Sequence, residues 1–106
     1  MKRTTRACGI TSKTRNIVYE RDGGRCIICG SYQNLQTAHF IPRSLLGLGI
    51  PQNLVMLCMR CHFEYDNGAY HNELYAQIRG YLKAQYNDWD ERTLTYKKYG
   101  EKNNAE

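Results

Sequence analysis

Two CxxC pairs, Cys26-Ile27-Ile28-Cys29 and Cys58-Met59-Arg60-Cys61, stand 28 residues apart in a chain of 106. Two thiolates three residues apart can reach one tetrahedral metal, and two such pairs supply the four ligands of a structural zinc site. If all four meet, the stretch between them must leave from a point and return to it. Twenty-eight residues exceed what a simple zinc ribbon needs, so a structural insert is expected between the knuckles. Gly30 relieves the tight turn after the first pair. A redox pair or inert thiols are the alternatives. The fifth cysteine, Cys8, has no partner in spacing and reads as a free thiol without functional weight.

A chain of this length holds one domain, because a second core would leave each part with too little apolar surface to bury. Even one core is marginal at this size, so a metal staple is a plausible source of stability. Lys2, Arg3 and Arg6 are followed by no apolar run of the kind a signal peptide carries, and no later run is long enough to cross a bilayer. A reducing cytoplasmic setting is therefore expected, where CxxC pairs favour zinc over disulfides.

The formal net charge of +5 is unevenly placed. Residues 1–60 hold nine Lys/Arg against Glu20 and Asp22, whereas residues 61–106 hold six against eight acidic side chains. Zinc bound by four thiolates would lower the total to about +3. The basic half favours a polyanionic partner, with ordinary solubilising charge as the alternative. Lys13, Arg15, Arg21, Arg25 and Arg43 are the candidate phosphate contacts.

Taken in order, residues 1–10 lack periodicity and read as a flexible basic arm, residues 11–99 as the single domain, and 100–106 as a frayed tail. Thr11 or Ser12 can cap a helix over 13–22 that turns Ile17 and Val18 inward and stops at Gly23-Gly24. A strand is predicted over 35–41, ended by Pro42, then a Gly/Pro loop over 44–53, a second strand over 54–57, and a short helix over 61–66. Leu74, Ile78, Tyr81 and Leu82 place an amphipathic helix over 72–86. Residues 88–91 suit another helical turn, with Trp89, Leu94 and Tyr96 packing back onto the core.

Three side chains in this order carry possible chemistry: His39 on the first strand, Asn53 at the end of the loop, and His62 behind the second knuckle. Phosphodiester hydrolysis needs a base to take the proton of water, charge on the phosphate oxygens offset, and help for the departing oxygen. A neutral histidine suits the first task, and a divalent cation suits the other two. An asparagine can orient the histidine ring, and an arginine can hold phosphate bidentately.

The string CxxCG, AHFIPRS, a glycine-containing loop and NLVMLCxxCHFEYD resembles the HNH endonuclease family, closest to its small zinc-containing phage and bacterial members. The resemblance covers residues 12–68, with the core at 26–68 and the helical part at 70–99 akin to the tail of the same group. It implies an α+β domain with a ββα-metal, treble-clef-like core, a four-cysteine structural zinc and flanking helices. It makes His39 the general base, Asn53 its orienting residue, His62 a ligand of a catalytic Mg2+, Mn2+ or Ni2+ ion, and double-stranded DNA the substrate. It also implies a phage-encoded or host-encoded cytoplasmic protein, monomeric or weakly dimeric, with phage packaging proteins as further candidate partners.

The chain departs from that pattern at Ala38, where many members have an Asp or His that binds the metal. Asp66 is the substitute on offer, since His62 and Asp66 at i and i+4 share a helical face. The alternative function is a catalytically silent zinc module that binds DNA or joins a packaging assembly.

Overall fold

The strand Leu54–Cys58 (β2) is buried at every one of its five positions. A strand with no polar face needs cover on both sides, and the neighbouring elements supply it. The computed structural model describes residues 3–97. Along the chain these form α1 (Arg3–Cys8), α2 (Ser12–Arg21), β1 (Leu35–His39), β2, α3 (Met59–Asn67) and α4 (His71–Gln85), with 3-10 turns at Arg43–Leu45, Pro51–Asn53 and Glu91–Thr93. The result is a small mixed α/β fold around a two-stranded sheet.

β1 and β2 pair antiparallel, with Leu35 opposite Cys58 and His39 opposite Leu54. Side chains alternate across a strand, and the two faces have separate cores. Leu54 and Met56 pack with Val18 of α2, joined by Leu35 and Ile10. Ala38, Val55 and Leu57 pack with Cys61 and Tyr65 of α3 and with Ile78 and Leu82 of α4. Phe40, just beyond β1, is fully buried with its ring 4.7 Å from that of Tyr75, and its carbonyl accepts from the Tyr65 hydroxyl at 2.7 Å.

α2 begins where a cap permits, the Thr11 hydroxyl accepting from the Thr14 N–H at 3.1 Å. It ends at Gly23 and Gly24, whose φ angles of 72° and 66° suit residues without a Cβ. Only one stripe of this helix meets the sheet. Val18 is fully buried while Ile17, about 100° round the helix, is 46% exposed, so the expectation that both point inward holds for Val18 alone.

The end of α2 carries a buried charge network that nothing local in the sequence announces. Asp22 accepts from Arg21, from the Met56 N–H of β2 at 2.8 Å and from the Tyr81 hydroxyl of α4 at 2.5 Å. Arg21 in turn donates to the carbonyls of Pro51 and Leu54 and to the Tyr86 hydroxyl. One ion pair thus binds helix, strand, loop and α4 together.

Residues 3–8 are not a flexible arm. They form α1, whose Cys8 is buried and whose Ala7 carbonyl accepts from the Gly49 N–H at 2.9 Å. At the other end, Leu94 is buried and Trp89 packs on the core as expected. The helical turn there comes slightly later than predicted, at Glu91–Thr93, because the Asp90 side chain caps it on the Arg92 N–H. Leu48 N–H to Leu94 O and Tyr96 N–H to Leu46 O, each 2.8 Å, tie this segment to the long loop. The tail at 100–106 lies outside the described residues. No described helix is long and apolar enough to cross a membrane.

Asp22→Ala removes the acceptor for a buried guanidinium and a buried backbone N–H. It is expected to destabilise the fold by about 3–5 kcal/mol, read as a shifted urea midpoint. A change below about 1 kcal/mol would show that the network does not join the elements as described.

Candidate metal centre and histidine site

The first knuckle is made by backbone bonds. Cys26 N–H donates to the Ser31 carbonyl at 2.8 Å, Gly30 N–H donates back to the Cys26 carbonyl at 2.9 Å, and Gly30 has φ 80°. Ile27 N–H donates to the Met56 carbonyl at 3.0 Å, which seats the knuckle on β2. The second knuckle joins β2 to α3: Cys58 caps the helix, its Sγ accepting from the Cys61 N–H at 3.4 Å.

These two devices bring Cys26, Cys29, Cys58 and Cys61 together, with all four Sγ atoms within 4.8 Å of one another. Cys29 Sγ and Cys58 Sγ are 3.6 Å apart. A tetrahedral zinc with Zn–S near 2.3 Å requires sulfurs about 3.8 Å apart, so the cluster could hold a structural metal such as zinc. The Ser31 backbone N–H draws the Cys29 thiol down to about 6, assisted by the neighbouring thiols, whereas burial pushes the Cys61 thiol up. Arg60 stands outside the cluster, and the cysteines beside it, Cys29 first, raise its pKa above the ordinary value. Among the described residues no other His, Cys, Asp or Glu side chains form such a group of three or more.

The histidines lie at the same sheet but on different faces. His39 ends β1 on the side of Leu35 and α2, and its Nε2 lies 2.8 Å from the Cys8 carbonyl at the end of α1. A carbonyl oxygen can only accept, so Nε2 carries the hydrogen and the neutral ring keeps its lone pair on Nδ1. Burial holds the His39 pKa below its ordinary value of 6.5; the Cys8 bond works against this, and the charges of Arg43 and His62 work with it. The His39 ring is therefore neutral at physiological pH.

His62 reaches the opposite face of β1, where its Nδ1 lies 2.6 Å from Gln36 Oε1. With that amide oxygen accepting, Nδ1 carries a hydrogen, and Nε2 lies 3.3 Å from Asp66 Oδ2. A ligating histidine usually donates its other ring N–H to such an oxygen, and Gln36 fills that place. Asp66 is half exposed, open to a cation or water. Ala38 points to this face but packs into the core.

Two expected roles change. Asn53 does not touch the His39 ring. Fully buried, it accepts from the Ile41 N–H at 2.8 Å and donates to the carbonyls of Ile41 and Leu48 at 3.1 and 2.8 Å. It holds the two ends of the long loop, because three unpaired backbone groups converge on it and no imidazole does. Arg21 is not a phosphate contact either: its five N–H donors go to Asp22, Pro51, Leu54 and Tyr86, leaving none for an anion. Lys13, Arg15, Arg25 and Arg43 are exposed and form no ion pair among the described residues. Arg25 lies over the Tyr32 ring, 4.9 Å from its centroid.

Gln36 and the Cys8 carbonyl are site groups that the sequence alone did not single out. Gln36 could have been found from strand alternation, which puts it with Ala38 on the helix-facing side. No local signal marks the Cys8 carbonyl.

His39 is expected to titrate below 6.5 by NMR. Because its folded pKa is depressed, the stability it contributes is present above pH 6.5 and falls as pH drops below 6.5 through the folded value; a midpoint at or above 6.5 would contradict its burial. Asn53→Ala is expected to cost about 3 kcal/mol by leaving buried backbone groups unpaired, measured by thermal unfolding. No protein-family model matches the chain, and no curated protein matches it at a significant level.

Proposed function

We propose that this chain is a metal-dependent DNA endonuclease or nickase of the HNH type, with a structural zinc at Cys26, Cys29, Cys58 and Cys61. The observation that carries the reading is His39: a desolvated neutral histidine whose Nε2–H is tied to a backbone carbonyl, so that Nδ1 is kept as a base. On the other face of β1, His62 and Asp66 pair a ring nitrogen with a carboxylate, two ligands suited to a hard divalent cation. The order β1, β2, α3, with the first histidine on β1 and the other on α3, agrees with a ββα-metal core.

In this reading Nδ1 of His39 takes a proton from the attacking water, and exposed Arg43 near it holds a phosphate oxygen. A Mg2+, Mn2+ or Ni2+ ion at His62 and Asp66 would supply Lewis-acid stabilisation of the phosphoryl and leaving oxygens. Gln36 keeps the His62 ring turned toward Asp66. Asn53 holds the loop that carries Arg43. Lys13, Arg15 and Arg25 add sequence-independent attraction for the duplex, which weakens as salt rises.

A rival reading has support at Ala38. That side chain offers no ligand and is built into the core, which fits a zinc module that binds DNA, or joins a phage packaging assembly, without cutting.

Cleavage of supercoiled plasmid separates the two. The zinc-loaded protein is expected to nick or linearise DNA only with added divalent metal. His39→Ala is expected to lower the rate by about 10²- to 10⁴-fold, and Asp66→Ala to raise the metal concentration needed. The acid limb of the rate profile is expected below pH 6.5, following the lowered His39 pKa. A folded protein that binds DNA but leaves it uncut whichever metal is added would give the silent module the lead. Stripping zinc with a strong chelator is expected to unfold the chain, since structural zinc contributes about 10 kcal/mol or more in small domains; an unchanged circular dichroism spectrum without zinc would refute that role.

A further inference from the structure

A six-residue helix is too short to persist on its own, and α1 places only Cys8 in the interior, while Arg3, Thr5 and Arg6 are exposed. What holds it is the set of carbonyls at its C-terminal end, which lack intrahelical partners. The Thr5 carbonyl accepts from the Gly9 N–H at 3.0 Å, the Ala7 carbonyl from the Gly49 N–H at 2.9 Å, and the Cys8 carbonyl from His39 Nε2 at 2.8 Å. Two of the three lead out of the helix, one to the long loop and one to the histidine.

The loop makes room for this contact at one residue. A Cβ on Gly49 would lie 2.0 Å from the Gly9 carbonyl oxygen and 3.0 Å from that of Cys8. Both neighbours are backbone, so any side chain at 49 must push the end of α1 away. The Cys8 carbonyl also carries the partial negative charge of a helix C-terminus, which favours an N–H toward it and disfavours a ring lone pair.

We propose that α1 is a positioning device for His39: its C-terminal carbonyls, docked on Gly49, lock the imidazole as the Nε2–H tautomer and aim Nδ1 at the substrate. Gly49 and the backbone of Cys8 are positioning residues, acting through His39. This deepens the nuclease reading and rests on His39 as its base.

The test uses full-length, zinc-loaded protein with 15N-labelled histidine, and compares wild type with Gly49→Ala. Long-range 1H–15N spectra at neutral pH are expected to show wild-type His39 as a single Nε2–H tautomer. In Gly49→Ala a mixture should appear, and kcat for plasmid cleavage should fall by about 10- to 100-fold with KM and zinc content unchanged. Ala7→Pro breaks α1 from within the helix while leaving every loop residue unchanged, and should reproduce both effects, which keeps the test alive if Gly49→Ala does not fold. An Nδ1–H tautomer in wild type, or a variant that keeps either the wild-type tautomer or the wild-type kcat, overturns the proposal. If wild type cuts no DNA under any metal, the nuclease reading fails by itself, and the tautomer comparison then decides whether α1 positions the ring.

Discussion

Five consecutive apolar residues, Leu54 to Cys58, leave β2 without a face that water can occupy. In a sheet of only two strands that demand can be met only by helices on both sides. α2 covers one face through Val18, and α3 with α4 covers the other through Tyr65, Ile78 and Leu82. The buried Asp22 exists because of this sandwich. It satisfies the Met56 N–H that would otherwise be unpaired, and its charge is matched by Arg21 and the Tyr81 hydroxyl.

The same sheet sorts the candidate chemistry into two faces. Gln36 and Ala38 face α3, so His62 finds its partner on β1 and stands over Asp66 one turn along. His39, one residue past Ala38, faces α2 and α1 and finds a carbonyl there. The two rings still sense each other's charge. His39 has one ring nitrogen on a backbone carbonyl and keeps a lone pair on the other, whereas both nitrogens of His62 meet a side-chain oxygen, of Gln36 and of Asp66.

The four-cysteine cluster plays a different part. It joins the start of the insert to its end, so the 28 residues between the knuckles are held at both ends. Within the insert, the loop 40–53 is closed by the β1–β2 pairing and held by Asn53, by Arg21 on Pro51, by Ala7 on Gly49 and by the pairing with residues 94–96. The metal-binding geometry and the polar clamp therefore act on the same segment from opposite ends.

Local signals were legible in the sequence because their causes are local. CxxC spacing, the Thr11 cap, the Gly23-Gly24 stop, the all-apolar β2 and the i, i+4 relation of His62 and Asp66 each depend on a few neighbouring residues. The helix at residues 3–8 and the buried Arg21 are not legible in the sequence for the opposite reason. The N-terminal stretch has no internal period, and Arg21 is indistinguishable from any surface arginine until its five donors meet groups 30 to 65 residues away. Asn53 likewise found its partners in converging backbone, not in the histidine that sequence order suggested. The chain by itself determined that a metal-sized cysteine cluster and a strand, strand, helix order would form, since spacing and hydrophobic pattern act over short distances. Only tertiary structure decided which polar groups are consumed in holding the fold and which protein oxygen each histidine nitrogen meets, because hydrogen-bond partners are assigned by packing and not by position in the chain.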